Sequence, residues 1–415
     1  MYDSKELSTY AKNMICPKIS TQGLSVQGQN DFDKYRFRHS SSYYKGDSEA
    51  NTGLLLEHVK EALAKSNSSK KPLLLLSDGK DSMTIALAYS KLGISCKTLT
   101  FLRKEDIEMK EYIKSVALSL GHVPYFIAID EILGSFDPEM FVESCKSMDN
   151  PVLDQGYLFF LFGLSQFFKS NGFKPSDFNV VDGLGNDETL GYMPSKDQLM
   201  AYKLSSLNLW KLVPDSLSFL RWYLRSPSES HGDLSALSCF FKISNAYNLN
   251  EYFKLVSNTN DSVSYVDFRA FSRGNFHDHQ CMMGKTKSSC NYFGSDYFFP
   301  WVDNKLADYC FNLPLESKFD FPKRVNKIIL RRLLKENFHW EQTKRGVDLF
   351  VDIDILKFSK DIVSKIVPEE FINKIINKTG VPSSVKKRAL LELLNFYGYC
   401  LSRGYGYNKI SEILE

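Results

Sequence analysis

The sequence lacks several features that mark common classes of protein. Its eight cysteines form no Cys-x-x-Cys pair, which argues against a metal or disulfide role and favours reduced, buried cysteines. The apolar run from Tyr157 to Leu164 is too short to cross about 30 Å of hydrocarbon, and the N-terminus has no apolar signal region. We therefore expect a cytoplasmic protein that has no membrane partner.

Charge of one sign is also lacking. The chain has 52 basic and 49 acidic side chains, a net charge of +3, so no global field would attract nucleic acid. Hydrophobic residues make up 43% and charged residues 24%, which is ordinary globular usage and excludes a disordered or fibrous chain. A length of 415 residues predicts two domains, or one domain with a large helical extension.

Strand and helix patterns alternate over the first half of the chain. Apolar strands at 73–76, 96–101, 124–129 and 178–182 alternate with helical spacing at 81–92, 105–120 and 155–169. This order predicts an α/β fold with a parallel sheet and helices on both faces. We divide the chain into an irregular segment at 1–50, an α/β core at 51–195 and a mainly helical region at 196–415. The helices predicted outside the alternating region are Leu54–Ala64, Leu204–Leu224, Leu237–Lys254, Asp303–Asn312, Lys323–Asn337 and Leu390–Cys400.

A polar loop follows the four-leucine strand Leu73–Leu76. It reads Ser77-Asp78-Gly79-Lys80-Asp81-Ser82 and leads into a helix, an arrangement that points backbone N–H groups and a helix N-terminus at a bound phosphate. The spacing fits neither the P-loop nor the dinucleotide-binding glycine motif. The alternative is an ordinary turn with Asp81 or Ser82 as the helix N-cap.

A second glycine-punctuated loop follows the strand at 178–182. It contains Gly183, Gly185, Asp187 and Glu188 and reaches Tyr192. Because ligands bind beyond the carboxyl ends of parallel strands, we expect this loop to meet the first. Asp81 and Asp187 would then bind one Mg²⁺ ion that bridges phosphate oxygens.

Two further segments carry polar groups, each with a simpler alternative. Asp149-Asn-Pro-Val-Leu-Asp154 is either a functional loop or an Asn-Pro turn. Lys344-Arg345-Gly346 is either a cationic catalytic loop or a solvated basic turn. Lys285 and Lys287 are weaker candidates, for which a surface loop is at least as good an interpretation.

Taken in order, these motifs resemble the synthetase domain of the asparagine synthetase family, which belongs to the ATP pyrophosphatases. The resemblance covers roughly residues 50–350, and the ordered set is more specific than any one member. Its further matches are Phe299-Pro-Trp-Val-Asp303, Leu313-Pro314 with Lys318, and Lys327-Ile-Ile-Leu-Arg331.

The resemblance implies an enzyme that uses ATP and Mg²⁺ to adenylate a substrate carboxylate and then forms an amide with ammonia or an amine. It assigns Ser77, Gly79 and Ser82 to pyrophosphate, and Asp81 and Asp187 to Mg²⁺. It also implies catalytic roles for Lys344, Glu188 and Asp187. From their place in the two loops we expect Asp78, Lys80, Asp81, Gly183 and Gly185 to bind the nucleotide as well. The carboxylate substrate would be a small molecule or a peptide, and a homo-oligomer is compatible with this assignment.

Three positions depart from the family pattern. Asp78 stands in place of a glycine, and Lys80 resembles the loop of relatives that modify tRNA or transfer sulfur. Tyr2 replaces the cysteine of a glutamine-hydrolysing domain, so we expect the nitrogen to come from free ammonia, a separate glutaminase or a substrate amine. A tRNA-modifying or sulfur-transferring enzyme, and a nucleotide-binding protein that has lost catalysis, remain as alternatives.

Overall fold

The computed structural model describes most of the chain. The described residues are 3–13, 44–66, 69–103, 105–151, 154, 156–191, 235–246, 266, 270, 282–338 and 353–415.

Five parallel strands form the central sheet of the described residues: β1 (Lys71–Leu75), β2 (Lys97–Leu102), β3 (Val123–Ala128), β4 (Phe178–Val181) and β5 (Asp296–Phe298). They lie in the order β3-β2-β1-β4-β5, and every neighbouring pair is parallel. The predicted α/β fold is therefore confirmed. A separate antiparallel pair is formed by β6 (Phe319–Asp320) and β7 (Val325–Asn326).

Helices cover both faces of the sheet and dominate the C-terminal region. In chain order they are α1 (Ser4–Asn13), α2 (Thr52–Ala64), α3 (Lys80–Lys91), α4 (Ile107–Ser119), α5 (Ile129–Gly134), α6 (Pro138–Cys145), α7 (Tyr157–Asn171), α8 (Met283–Phe293), α9 (Asn304–Asn312), α10 (Leu315–Lys318), α11 (Ile328–Asn337), α12 (Ile355–Asp361), α13 (Glu369–Ile376), α14 (Ser383–Ser402) and α15 (Tyr407–Leu414).

The leucine strand β1 separates two apolar cores. Successive side chains of a strand point to opposite faces, so Leu73 and Leu75 pack into the core that contains α7, while Leu74 and the following Leu76 pack into the core that contains α3 and α11. Burial on both faces explains why this strand is a continuous apolar run rather than an alternating one. The apolar run at Tyr157 forms the buried helix α7.

Two features of the chain differ from the sequence prediction. Residues 4–13, predicted to be irregular, form the helix α1, because Leu7, Tyr10 and Ala11 share one face that is buried and the helix packs on α15. The region predicted to be mainly helical supplies β5, which pairs with β4. Three residues of half-exposed strand are too short for a period-2 pattern to stand out.

The predicted C-terminal helices have mixed outcomes. Asp303–Asn312 and Leu390–Cys400 correspond to α9 and α14, and α11 begins later than predicted because β7 precedes it. The prediction of a helix at Leu237–Lys254 is wrong in its described part, where a short 3-10 helix at Ala236–Cys239 is followed by non-helical backbone up to residue 246. The segment Leu204–Leu224 lies outside the described residues.

Most of the described cysteines pack as small apolar groups. Five of six are buried, all six are free thiols, and Cys239 alone among them is exposed. Within the ranges that the structure describes, none of the helices combines the length and the apolar character that are needed to cross a bilayer.

Glu392 is a buried carboxylate that fixes α14 to the segment before Phe240. It accepts hydrogen bonds from the backbone N–H groups of Ala236 (2.7 Å) and Leu237 (3.3 Å) and from Arg388 Nε (2.7 Å). Burial raises the pKa of Glu392 from 4.5 to about 6, although Arg388 and the backbone donors oppose the shift.

This raised pKa predicts a pH-dependent stability. Between pH 4.5 and about pH 6 the folded protein binds more protons at Glu392 than the unfolded chain does, so stability falls as the pH rises. Relative to Glu392→Gln, which does not titrate, the wild type is expected to lose about 2 kcal/mol in total as the pH rises from well below to well above this window. Urea unfolding of both proteins at several pH values measures the difference. A difference that stays constant with pH would contradict the raised pKa.

Candidate active site

The loop after β1 is closed by its own hydroxyl groups. Ser82 Oγ accepts from the backbone N–H of Ser77 and lies 3.1 Å from Ser77 Oγ. Ser77 Oγ in turn accepts from the backbone N–H of Gly79 at 3.1 Å. The two serines therefore hold the loop in one compact conformation directly beyond the carboxyl end of β1.

The helix α3 begins within this polar segment, at Lys80, without a side-chain cap. Its N-cap is Gly79, and no side chain accepts a hydrogen bond there, so the alternative that Asp81 or Ser82 serves as N-cap is wrong. The first N–H groups of an α-helix have no partner within the helix. The N-terminus of α3 thus retains the polarity that favours a bound anion.

The loop after β4 lies against the first loop. A Cβ atom added at Gly183 would be 3.0 Å from the backbone nitrogen of Ser82, so the two backbones approach more closely than most side chains allow. Gly185 has a φ of +108°, a conformation that favours glycine, and a Cβ atom there would be 2.5 Å from Val302 Cγ1. The prediction that the two loops lie against each other is therefore confirmed.

Asp81 and Asp187 converge on the side chain of Lys327. Lys327 Nζ is 2.6 Å from Asp81 Oδ2 and 2.6 Å from Asp187 Oδ1. It also donates to Asn186 Oδ1 at 2.7 Å, while Asn186 Nδ2 donates to Asp81 Oδ1 at 2.8 Å. Three segments that are distant in the sequence thus meet around a single ammonium group.

The Lys327 ammonium is held in its charged form. The residue is 2% exposed; burial alone would lower its pKa, but the carboxylates of Asp187 and Asp81 outweigh burial, and the pKa of Lys327 is raised. Its backbone is left-handed, with a φ of 55°, directly before α11. Such a conformation is uncommon outside glycine and typical of functional sites.

Two more cations lie near this group. Lys80, in the first turn of α3, is 8% exposed. Burial lowers its pKa to about 8, and of its charged neighbours Asp81 and Asp187 oppose the shift, whereas Lys327 and Arg331 strengthen it. Because Arg331 lies one turn after Lys327 on α11, which packs on α3, the site combines two carboxylates with three cations.

The oxygen atoms that surround Lys327 Nζ are of the kind that bind a hard cation. Asp81, Asp187 and Asn186 direct three oxygen atoms at one point, and Mg²⁺ prefers carboxylate and amide oxygens. Among the residues that the structure describes, no group of three or more His, Cys, Asp or Glu side chains could hold a metal ion. A metal ion at this point would therefore take its remaining ligands from phosphate oxygens or water.

The segment at 149–154 contacts two buried lysines of α8. Asp154 Oδ1 is 3.1 Å from Lys285 Nζ, and Asp149 pairs with Lys287. Both lysines are buried in the structure, so the surface-loop alternative for them is wrong. Both carboxylates of the segment form ion pairs with lysines of α8. An isolated Asn-Pro turn would not need these contacts.

Asp182 joins this group to the end of β4. It accepts a hydrogen bond from Thr286 Oγ1 at 2.5 Å, and burial raises its pKa, while Lys285 and Thr286 act in the opposite direction. Lys285 Nζ also lies 5.1 Å from the ring centre of Phe160 on α7. The charged groups of α8 thus lie directly beside the Gly183 loop.

The remaining predicted residues have the following positions. Asp78 and Glu188 are buried in the two loops, whereas Lys344 and Tyr192 lie outside the described residues. Asp303 caps α9 and pairs with Lys65 at 2.7 Å. Lys318 is buried and donates to the carbonyl of Phe311. Asp303 and Lys318 therefore have structural contacts that account for them.

The sequence identified Lys327 only as part of a motif and gave it no role. The signal that would have found it is electrostatic, because two partly buried carboxylates that meet from two loops need a positive partner. Its place directly before the helix Ile328–Asn337 could have marked Lys327 among the lysines of the C-terminal region as the candidate partner.

A cavity opens at the carboxyl ends of β2 and β3. Its volume is about 720 Å³ and its lining includes Ile129, Phe136 and Phe358, with Lys357 and Asp361 among its charged residues. This volume is typical of small-molecule sites. The strand order β3-β2-β1 places the cavity and the Ser77–Ser82 loop at the carboxyl ends of neighbouring strands of one sheet.

No model of a known protein family matches the chain, and a search of curated proteins found no match. The resemblance to the asparagine synthetase family therefore rests on the sequence motifs alone.

Proposed function

We propose that the protein is an ATP-dependent amide-forming ligase that adenylates a substrate carboxylate. The observation that carries the proposal is the convergence of Asp81 and Asp187, from two loops at the carboxyl edge of a parallel sheet, on one cation position. This is the arrangement that a metal-bound polyphosphate requires, and the uncapped N-terminus of α3 lies beside it.

In this proposal the loop Ser77–Ser82 and the N-terminus of α3 bind the phosphates. Lys80, Lys327 and Arg331 neutralise the charge that develops on the departing pyrophosphate; such preorganised groups commonly account for a hundredfold to a thousandfold in rate (~10²–10³). Asp81 and Asp187 would hold Mg²⁺, which supplies charge neutralisation when bound. Glu188 orients groups next to the reacting centre, and Lys344 is a candidate for stabilising charge on the acyl group.

The proposed reaction has two steps. A carboxylate oxygen of the substrate attacks the α-phosphorus of ATP, the bond to the bridging oxygen breaks, and pyrophosphate leaves. An amine nitrogen then attacks the acyl carbon, the bond to the AMP oxygen breaks, and the amine loses a proton. The protein contributes mainly positioning and charge stabilisation.

We assign the cavity beside β2 and β3 to the acyl or amine substrate. Its lining combines apolar side chains with charges of both signs, which suits a molecule that has an apolar part and a charged part. Its place on the same edge as the phosphate loop would let the reactive end of this molecule approach the α-phosphate.

A nucleotide-binding protein without catalysis is the second candidate. The observation that favours it is the buried Asp78 in the phosphate loop, which stands where the loop of the catalytic family that the chain resembles has a glycine. In this candidate the loops bind ATP but do not cleave it.

Exchange of radiolabelled pyrophosphate into ATP tests the proposal. With Mg²⁺ and a mixture of candidate carboxylates, the wild type is expected to catalyse exchange that depends on the carboxylate, and addition of amines should release AMP. ADP and phosphate as products would refute adenylation. ATP binding without exchange or AMP release across the substrate panel would favour the second candidate.

A further inference from the structure

The Lys327 ammonium uses all of its hydrogen-bonding capacity on the proposed metal ligands. An ammonium group has three N–H donors, and Asp81, Asp187 and Asn186 accept from it at 2.6, 2.6 and 2.7 Å. The residue is almost fully buried, and its ammonium group lies at nearly the same distance from each of the three oxygens.

The same three oxygens cannot hold this ammonium and a divalent cation at once. A metal ion bound to them would lie within a few ångströms of Nζ, where like charges in a buried site repel strongly. To admit the metal ion, Lys327 must leave its carboxylates, and a buried charge that loses its partners is strongly destabilising.

The cations around Lys327 indicate which kind of ligand could pair with its ammonium group after it leaves the two carboxylates. Lys327 and Arg331 both act electrostatically on Lys80, so a metal ion that is added alone meets repulsion from these cations. A polyphosphate supplies negative oxygens for the displaced ammonium and for the other two cations. The metal ion and the polyphosphate therefore complement each other.

We propose that Lys327 competes with the divalent cation for Asp81, Asp187 and Asn186, so that a metal ion binds only together with a polyphosphate that draws the lysine away. Lys327 then holds the two loops together when no metal ion is bound, and it pairs with the phosphate oxygens once the metal ion has taken its place. This inference rests on the proposed function only in placing the metal ion at Asp81 and Asp187.

Binding of Mn²⁺, followed by the paramagnetic resonance signal of the free ion, tests the competition without any need for turnover. The full chain of the wild type is expected to bind Mn²⁺ weakly alone and about tenfold or more tightly with the non-cleavable analogue α,β-methylene-ATP. Lys327→Met is expected to bind Mn²⁺ tightly without nucleotide. Lys323→Met is the matched control, because Lys323 is an exposed lysine before the same helix, and it should behave as the wild type.

The outcomes separate this inference from the proposed function. Tight binding of Mn²⁺ by the wild type without nucleotide overturns the competition, and this measurement stands even if Lys327→Met does not fold. If the competition is observed but pyrophosphate exchange is absent, the ligase proposal fails and the role of Lys327 remains. Lys327→Arg, which keeps the positive charge, should retain the weak binding of the wild type.

Discussion

Asp187→Asn and Asp81→Asn are each expected to lower ATP-dependent turnover by about a hundredfold to a thousandfold (~10²–10³). Each change removes one of the two carboxylates that converge on the proposed cation position, while the amide keeps nearly the same volume. Each also removes one ion pair of Lys327, but the other carboxylate and Asn186 remain as partners. The fold should therefore persist with a reduced melting temperature.

The measurement is the rate of pyrophosphate exchange and AMP release, together with thermal unfolding followed by circular dichroism. Asp177→Asn is the matched control, because this exposed aspartate precedes the amino end of β4, at the edge of the sheet opposite the site. It should retain wild-type turnover and stability. Wild-type turnover in Asp81→Asn or Asp187→Asn would remove the metal assignment of that residue.

The strands and loops that are determined by short stretches of sequence could be predicted from those stretches. The run Leu73–Leu76 predicted a strand buried on both faces, and the glycine-rich segments after β1 and β4 predicted loops at one edge of the sheet. Parallel topology then brought Asp81 and Asp187 together, since the strands that precede them are neighbours. The two loops could be predicted from local sequence, and the order of the strands brings them together at the candidate site.

The parts that could not be predicted depend on contacts between distant residues. Lys327 meets Asn186 across 141 positions and Asp81 across 246, and no local spacing indicates such pairs. The helix α1 and the strand β5 are similarly fixed by packing on α15 and by pairing with β4. The burial of Lys285 and Lys287 follows from the placement of α8 on α7, which their local sequence does not specify.

Gly191→Ala is expected to disable the site from a position that bears no functional group. A Cβ atom at residue 191 would lie 2.0 Å from Asp187 Oδ1 and 2.4 Å from Asp187 Cα. The backbone N–H of Gly191 also donates to the carbonyl of Asp187 at 3.1 Å, so the two residues form one tight turn. An added methyl group must therefore move Asp187 away from Lys327.

A displacement of about 1 Å at a positioning group commonly costs about a hundredfold in rate, and we expect a loss of this size in pyrophosphate exchange. Overpacking should also destabilise the fold by about 1–3 kcal/mol, measured by urea unfolding. Gly406→Ala is the matched control, because a Cβ atom there meets no atom within 4 Å, and it should leave exchange unchanged. If Gly191→Ala kept full exchange, the turn from Asp187 to Gly191 would not be what holds the carboxylate in place, and the metal site would have to be sought at other oxygens.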